Sequence, residues 1–381
     1  MPASLANRLP FTALALRGYN QTNLGRTGEL LAVPAYHDVV ERRLAEAGEL
    51  CGVVTGRQVD LIARVADERE AGLDAYSEAI ALVFAAELAQ LDLLRDVHGI
   101  DPHKAGRAFG YSLGELTAVA AAGLYPLEAV MRIPLSLAED CAALASKVTM
   151  GVVFSRKTAL SEAALQRVCE EVTAEGSGAV AISAILAPNT MLIIGETDTL
   201  ERVRKRCEAW DGPPVLIRPN DGAWPPLHTP LVSELHIPDR ATLMIRGVPR
   251  LSETPRPPIW SLVTGQREYE GDSGRGVLRR WIDSPQRLWD VVHATLASDT
   301  RTVLHVGPAP NVIPATFHRL AENVVKQTLQ WSLSAVSKRT IQRMAGSAWM
   351  APLLPKSGFL LRAPMIEQIV LEDWLLEHAP R

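Results

Sequence analysis

Four absences limit what this 381-residue chain can be. It has only four cysteines, Cys51, Cys141, Cys169 and Cys207, with no CxxC pair and no metal-like Cys/His spacing. Neither a disulfide framework nor a zinc site is therefore expected. Charge of one sign is also missing: 39 Lys and Arg against 43 Asp and Glu leave a net charge of -4. That balance, without a basic run, gives no footprint for nucleic acid or an anionic membrane surface. No long apolar run occurs either. The N-terminal segment MPASLANRLPFTALALRG is interrupted by Arg8, Pro10 and Arg17, too short for a membrane span and without a signal-peptide cleavage pattern. A cytoplasmic, reducing setting is expected. Finally, there is no internal repeat and no low-complexity segment.

What remains is a chain with 47% hydrophobic residues, long enough for a large domain and a smaller one, each with its own core. Apolar periodicity predicts a buried strand over 12–16, helices over 29–49 and 75–97, a strand over 105–109 and a helix over 113–122 capped by Gly123. Between 149 and 220 the order changes to strand (151–155), helix (161–174), strand (179–185), strand (191–195), helix (199–209) and strand (214–217). This βαββαβ order is the ferredoxin-like unit, and its insertion in a larger α/β domain would create a cleft at the seam. Beyond it come a Pro-rich stretch (247–258), a strand over 259–263, helices over 276–282 and 286–296, a strand over 302–306 and a helix from about 312. The expected fold class is α/β: a large α/β-hydrolase-like domain (1–147 and 221–330) with a parallel sheet, and an inserted small domain (148–220). Residues 331–381 read as a C-terminal extension with one helix over 365–377.

The strand-turn-helix around 105–122 contains Gly110-Tyr111-Ser112-Leu113-Gly114. A serine hydroxyl is a weak nucleophile and needs exposure, a base, and donors for the tetrahedral oxyanion. Glycines two before and two after Ser112 let strand and helix pack tightly around a turn that exposes Oγ, and the Leu113 N–H at the helix start points where the oxyanion forms. With 26 glycines in the chain, composition alone supplies such a pentapeptide in roughly a tenth of chains. An ordinary strand-to-helix turn whose serine caps the helix is the plain alternative. Among nine histidines, His228 stands apart because Pro225, Pro226 and Pro230 fix the backbone around it, just after the small domain closes. A rigid loop at an inter-domain seam suits a catalytic imidazole.

In these residues the chain resembles the malonyl-CoA:acyl-carrier-protein transacylase family, which includes acyltransferase domains of polyketide and fatty-acid synthases. The resemblance spans about residues 12–325 and rests on four segments in order: Gly110-Tyr111-Ser112-Leu113-Gly114-Glu115-Leu116, similar to a GHSxGE elbow; His228-Thr229-Pro230-Leu231, similar to HSPLM; Ser261-Leu262-Val263-Thr264-Gly265; and His305-Val306-Gly307-Pro308, similar to EVGPG. It implies that Ser112 is the nucleophile and His228 its base. The family's GQGxQ loop falls on Gly18-Tyr19-Asn20-Gln21-Thr22, so the Tyr19 N–H would join Leu113 N–H in the oxyanion hole, and the main-chain carbonyl near Trp281 would orient the histidine. Acyl-CoA and a phosphopantetheine-carrying acyl carrier protein would be substrates, with no bound metal or redox cofactor.

Two departures bear on the pocket. Malonyl-specific members place a carboxylate-binding arginine twenty-five residues after the serine, where this chain has Leu137, and Tyr111 replaces the elbow histidine. Leucine cannot pair a carboxylate, and an unpaired one in an apolar pocket costs several kcal/mol. Arg132, displaced on the helix but close to Pro134, and Arg279 or Arg280 are candidate substitutes. Without one, a neutral acyl group is expected. Two other readings stay open: a thioesterase with the same dyad, and a non-catalytic scaffold that docks a carrier protein.

Overall fold

Thr12–Leu16 (β1) is buried at every residue, as a strand covered on both faces must be. Alternation sends Leu14 and Leu16 into one core and Ala13 and Ala15 into another. The computed structural model describes residues 5–333, apart from 157, 209–213, 221, 253 and 272, together with residues 358–380. The remaining large-domain strands are Arg107–Gly110 (β2), Ile259–Ser261 (β7), Gln266–Glu268 (β8), Thr302–Val306 (β9) and Glu367–Val370 (β10). They form a sheet in the order β10-β9-β1-β2-β7-β8, parallel except for the β7-β8 hairpin. Leu16 is in register with both Gly110 and Val306. The Gly18 loop, the Ser112 turn and the Gly307-Pro308 turn therefore leave the sheet side by side at its carboxyl edge, where open α/β sheets bind ligands.

Helix Tyr76–Asp96 (α2) is buried at every residue from 79 to 94, the signature of a helix enclosed by protein on all sides. It packs against His37–Thr55 (α1), Leu113–Ala121 (α3) and Leu127–Ala145 (α4). The second sheet contains Val148–Phe154 (β3), Val180–Ala187 (β4), Thr190–Glu196 (β5) and Leu216–Asn220 (β6), in the antiparallel order β4-β5-β3-β6. Helices Glu162–Ala174 (α5) and Thr199–Glu208 (α6) complete the ferredoxin-like unit. It joins the large domain along a short seam: the Gln286 N–H donates to Ser183 O at 2.9 Å, and the Ile185 N–H to Gln286 O at 2.8 Å.

The chain's end corrects the reading of residues 331–381 as an appended extension. Helix Val312–Leu333 (α9) runs past the expected boundary at 330. Residues 334–357 lie outside the described residues, but β10 adds a parallel edge strand beside β9, and Leu371–Glu377 (α10) packs against α2. Glu372, 1% exposed, accepts hydrogen bonds from the Arg26 and Ala309 N–H groups, both at 3.0 Å. The expected helix over 365–377 thus begins only at Leu371, because the Glu367–Val370 segment finds sheet partners that a local pattern cannot reveal. A further helix, Ile237–Arg246 (α7), follows His228 with Pro238 in its first turn, where a missing N–H costs nothing. No helix among the described residues is long and apolar enough to cross a membrane.

Candidate active site

The turn from β2 into α3 places Ser112 at φ 53°, ψ -116°. An L-residue held there stores about 1–3 kcal/mol of strain, which only surrounding structure can maintain. The flanking glycines explain how the turn fits. A Cβ on Gly114 would lie 2.5 Å from the Leu16 and Arg17 carbonyl oxygens, and one on Gly110 would overlap the Gly114 backbone. Glu115 anchors the new helix, accepting from the Leu262 N–H at 2.9 Å, the Tyr269 hydroxyl at 2.6 Å and the Ser261 hydroxyl. Burial pushes its carboxyl up to about 7 against those three donors.

Two side chains grip the strained residue from opposite ends. The Trp281 Nε1–H donates to Ser112 O at 2.9 Å, and the Ser112 N–H donates to Gln286 Oε1 at 2.9 Å. Both are buried, Trp281 at 1% and Gln286 at 0% exposure. Trp281 ends the helix Ser273–Trp281 (α8), and Gln286 sits on the seam with β4.

His228, at φ 65°, is fixed by its own N–H to Ile282 O at 2.7 Å. Its Nδ1 lies 2.7 Å from Trp281 O and its Nε2 lies 2.8 Å from Ser112 Oγ. A carbonyl can only accept, so Nδ1 carries the proton and Nε2 turns its lone pair toward the serine hydroxyl. The Gln286 Nε2 lies 3.3 Å from Nδ1, but two N–H groups face each other there, so this approach is packing rather than a bond. Burial lowers the imidazole pKa to about 4, opposed in part by the Trp281 carbonyl. The ring is neutral at pH 7 and able to take a proton.

The Gly18 loop lies against the nucleophile: a Cβ on Gly18 would sit 3.0 Å from Ser112 Cβ and 2.6 Å from Tyr111 O. Arg17, 1% exposed, staples that loop to the neighbouring turn. Its Nε donates to Gly18 O at 2.7 Å, Nη1 to Pro308 O at 2.6 Å, and Nη2 to Thr22 O at 3.1 Å and Asn23 Oδ1 at 2.8 Å. Burial lowers its pKa to about 10, so it remains charged near neutrality. The N–H groups of Tyr19 and Leu113 have no partner among the described residues, leaving two backbone donors on the segments that flank Ser112.

These elements enclose a cavity of about 270 Å³ between the two domains. Ser112 and His228 form its floor with Arg17, Gly18, Tyr19 and Asn20, while Tyr76, Tyr111, Trp224 and Leu227 stand on the large-domain side and Met150, Ser183, Leu186, Leu192 and Ile194 on the small-domain side. Leu137 corrects the expected pocket. It is 1% exposed within the large-domain core and does not line the cavity. Tyr76, by contrast, lines the cavity, edge-on to Tyr19 at 4.8 Å. None of the candidate substitute cations reaches the cavity either. Arg132 faces solvent, paired with Glu128 at 2.7 Å, and Arg279 and Arg280 are exposed on α8. Arg17 is the one cationic side chain among the described lining residues, and four of its five N–H donors are given to the Gly18 loop and the Pro308 turn.

The structure therefore brings together Ser112, His228, Tyr19, Leu113, Tyr111 and the Trp281 carbonyl, and sets Leu137 apart. Sequence reasoning missed Arg17, Tyr76, Ser183, Trp224 and Gln286. Only Gln286 left a trace, by directly following the Ser284-Pro285 loop. Among the described residues no group of His, Cys, Asp and Glu could hold a metal ion.

No protein-family model matches the sequence, and no curated protein does. Solved structures match the fold. A malonyl-CoA:acyl carrier protein transacylase from Xanthomonas oryzae superposes with a TM-score of 0.63 at 21% identity, over 81% of this chain and 90% of its own. A malonyl-transacylase in complex with its type II polyketide acyl-carrier protein gives 0.61 at 23% identity, over 80% and 91%. The acyltransferase domain of the second module of the salinomycin polyketide synthase gives 0.62 at 21% identity, over 80% and 65%. The chain thus has the two-domain transacylase fold.

Proposed function

We propose that this protein is an acyl-CoA:acyl-carrier-protein S-acyltransferase working through an acyl-Ser112 intermediate. The observation that carries the reading is the continuous relay from Trp281 O through His228 to Ser112 Oγ, at 2.7 and 2.8 Å. In the first half-reaction Ser112 Oγ attacks the thioester carbonyl carbon while His228 Nε2 takes its proton. The carbonyl oxygen becomes an oxyanion facing the Tyr19 and Leu113 N–H groups. The C–S bond then breaks, and the leaving thiolate recovers the proton from Nε2. In the second half-reaction a phosphopantetheine thiol gives its proton to Nε2, and its sulfur attacks the acyl carbonyl. Collapse returns that proton to Ser112 Oγ. Neighbours of this fold act on malonyl-CoA and acyl carrier protein, which supports a thioester donor and a carrier acceptor here.

The acyl group is neutral. A malonyl carboxylate would enter a cavity whose one cation among the described lining residues already gives four of its five N–H donors to carbonyl and amide acceptors. Several kcal/mol of uncompensated desolvation corresponds to about 10²–10³-fold in kcat/KM. Butyryl-CoA is accordingly expected to acylate Ser112 at least about 10²-fold faster than malonyl-CoA. Comparable rates would show that a cation is recruited.

The test of transfer is the fate of the acyl group when holo-carrier protein is titrated into pre-acylated enzyme. Acyl-carrier protein should appear in step with loss of the acyl-enzyme. Release as free acid at a rate indifferent to carrier would identify a hydrolase. Gln286→Leu, which removes the acceptor for the Ser112 N–H, is expected to lower kcat about 10-fold, the worth of one neutral hydrogen bond, with KM little changed. A KM effect alone would assign Gln286 to substrate binding instead.

A further inference from the structure

We propose that the acyl group is a medium-length alkyl chain, and that its tail leaves the catalytic cavity along a groove between the small-domain sheet and helix α9. This rests on the transfer reading above and names its substrate class. A second cavity, of about 220 Å³, adjoins the first: Leu186, Leu192 and Val312 line both. All three are half-buried, so a single layer of aliphatic side chains borders the two spaces, and rotamers of partly exposed side chains exchange rapidly. Strand register sets the direction. Met150 pairs with Ile194 and Val152 with Leu192, which puts all four on one face of the sheet. Met150 and Ile194 line the catalytic cavity, and Val152 and Leu192 carry the same face about 7 Å further, into the second. Asn220, a polar residue that this sheet also brings to the catalytic cavity, pairs with Met150 from β6, on the side of β3 away from β5.

The opposite wall is one stripe of α9. Val312, Ala315, Thr316, Arg319, Leu320 and Asn323 recur at the spacing of a single helix face, and at about 1.5 Å per residue the stripe extends about 16 Å from Val312. A decanoyl chain, advancing about 1.3 Å per carbon because its bonds are about 1.5 Å long, spans about 11 Å and fits within that run. The chemistry of the groove suits hydrocarbon better than the amide-bearing pantetheine arm. Three of its polar side chains are already paired with protein: Asn189 Nδ2 donates to Ser155 O at 2.8 Å, Thr190 Oγ1 to Asn189 Oδ1 at 3.4 Å, and Thr316 Oγ1 to Val312 O at 3.0 Å. Arg319, which is exposed, and Asn323 stand toward the end of the stripe far from Val312. An alkyl chain laid in the groove takes the half-buried Val152, Leu186, Leu192 and Val312 out of water together with its own methylenes, each worth up to about 4-fold in binding.

The test uses the full-length protein and the CoA thioesters of acetate, butyrate, hexanoate, octanoate and decanoate, kept below micelle-forming concentrations, with Ser112 acylation followed by intact mass. From butyryl-CoA to decanoyl-CoA, kcat/KM is expected to climb at least about 10²-fold, well within what the added methylenes can supply. Ala315 is exposed and lines the second cavity but not the first. Ala315→Trp, which fills the groove, and Ala315→Asp, which charges it, should each pull the decanoyl-to-butyryl ratio down at least about 10-fold while leaving butyryl-CoA within about 2-fold of wild type. The unchanged butyryl rate also shows that each variant is folded. A profile that is flat or falling beyond butyryl-CoA, or a ratio that survives both variants, overturns the inference and leaves transfer standing. Equal slowing of butyryl-CoA and decanoyl-CoA by Ala315→Trp overturns it too, and assigns the groove to the CoA arm. Failure of all five thioesters to acylate folded protein would overturn the transfer reading and this one with it.

Discussion

Ser112→Ala is expected to lower steady-state acyl transfer by about 10⁵–10⁶, the loss seen when a nucleophile acting as one unit with its base is removed. Among the described residues no cysteine stands in. The four cysteines are buried and outside the cavity, with thiols that burial pushes up to about 11 for Cys51 and Cys207 and about 12 for Cys141 and Cys169. Tyr111 borders the nucleophile, but burial raises its phenol as well. The fold should persist, because the turn is held through backbone groups of residue 112, by Trp281 and Gln286, rather than through Oγ. Residual transfer within about 10² of wild type would mean that the acyl group does not pass through this residue.

His228→Ala is expected to cost about 10⁴ in kcat/KM, because the serine loses the proton acceptor that lies 2.8 Å from its hydroxyl while the oxyanion donors remain. The same histidine sets the pH dependence. Its folded pKa, lowered to about 4 by burial, lies below the ordinary value near 6.5, so the neutral base is retained well into acid. The kcat/KM profile should be flat across pH 5.5–8 and fall only as pH approaches about 4. An acid limb centred at 6.5 would show a solvated imidazole. Stability follows with its own sign. Between pH 6.5 and 4 the unfolded chain binds a proton that the folded histidine refuses, so this group's contribution is complete above 6.5 and is lost as pH falls toward 4. In His228→Ala that part of the pH dependence of unfolding should vanish.

The features legible in the sequence are those written in spacing. Gly110 and Gly114 bracket Ser112 because backbone must approach backbone there, and the prolines around His228 announce a fixed loop; both signals survive without knowledge of the tertiary structure. The buried run of β1 and the βαββαβ order of the small domain are local periodicities of the same kind. What was illegible depends on how distant surfaces meet. Leu137 stands at a meaningful distance from Ser112 along the chain, yet it is buried in the large-domain core and does not line the cavity. Gln286 and Ser183 acquire their significance only where a large-domain loop pairs with β4. Arg17 read as an interruption of an apolar stretch, but its guanidinium organises four acceptors from two loops. The Glu367–Val370 strand carries two apolar residues in four and becomes a strand because β9 offers an open parallel edge.

The central claim, a covalent acyl group carried on Ser112, is tested most directly by the intact mass of the protein after brief exposure to a panel of acyl-CoAs that includes butyryl-CoA, with peptide mapping of any adduct. One acyl increment on the peptide containing Ser112, absent from Ser112→Ala and discharged by holo-carrier protein, is the predicted result. An increment that persists in Ser112→Ala, or no increment with any acyl-CoA on folded wild-type protein, would contradict it.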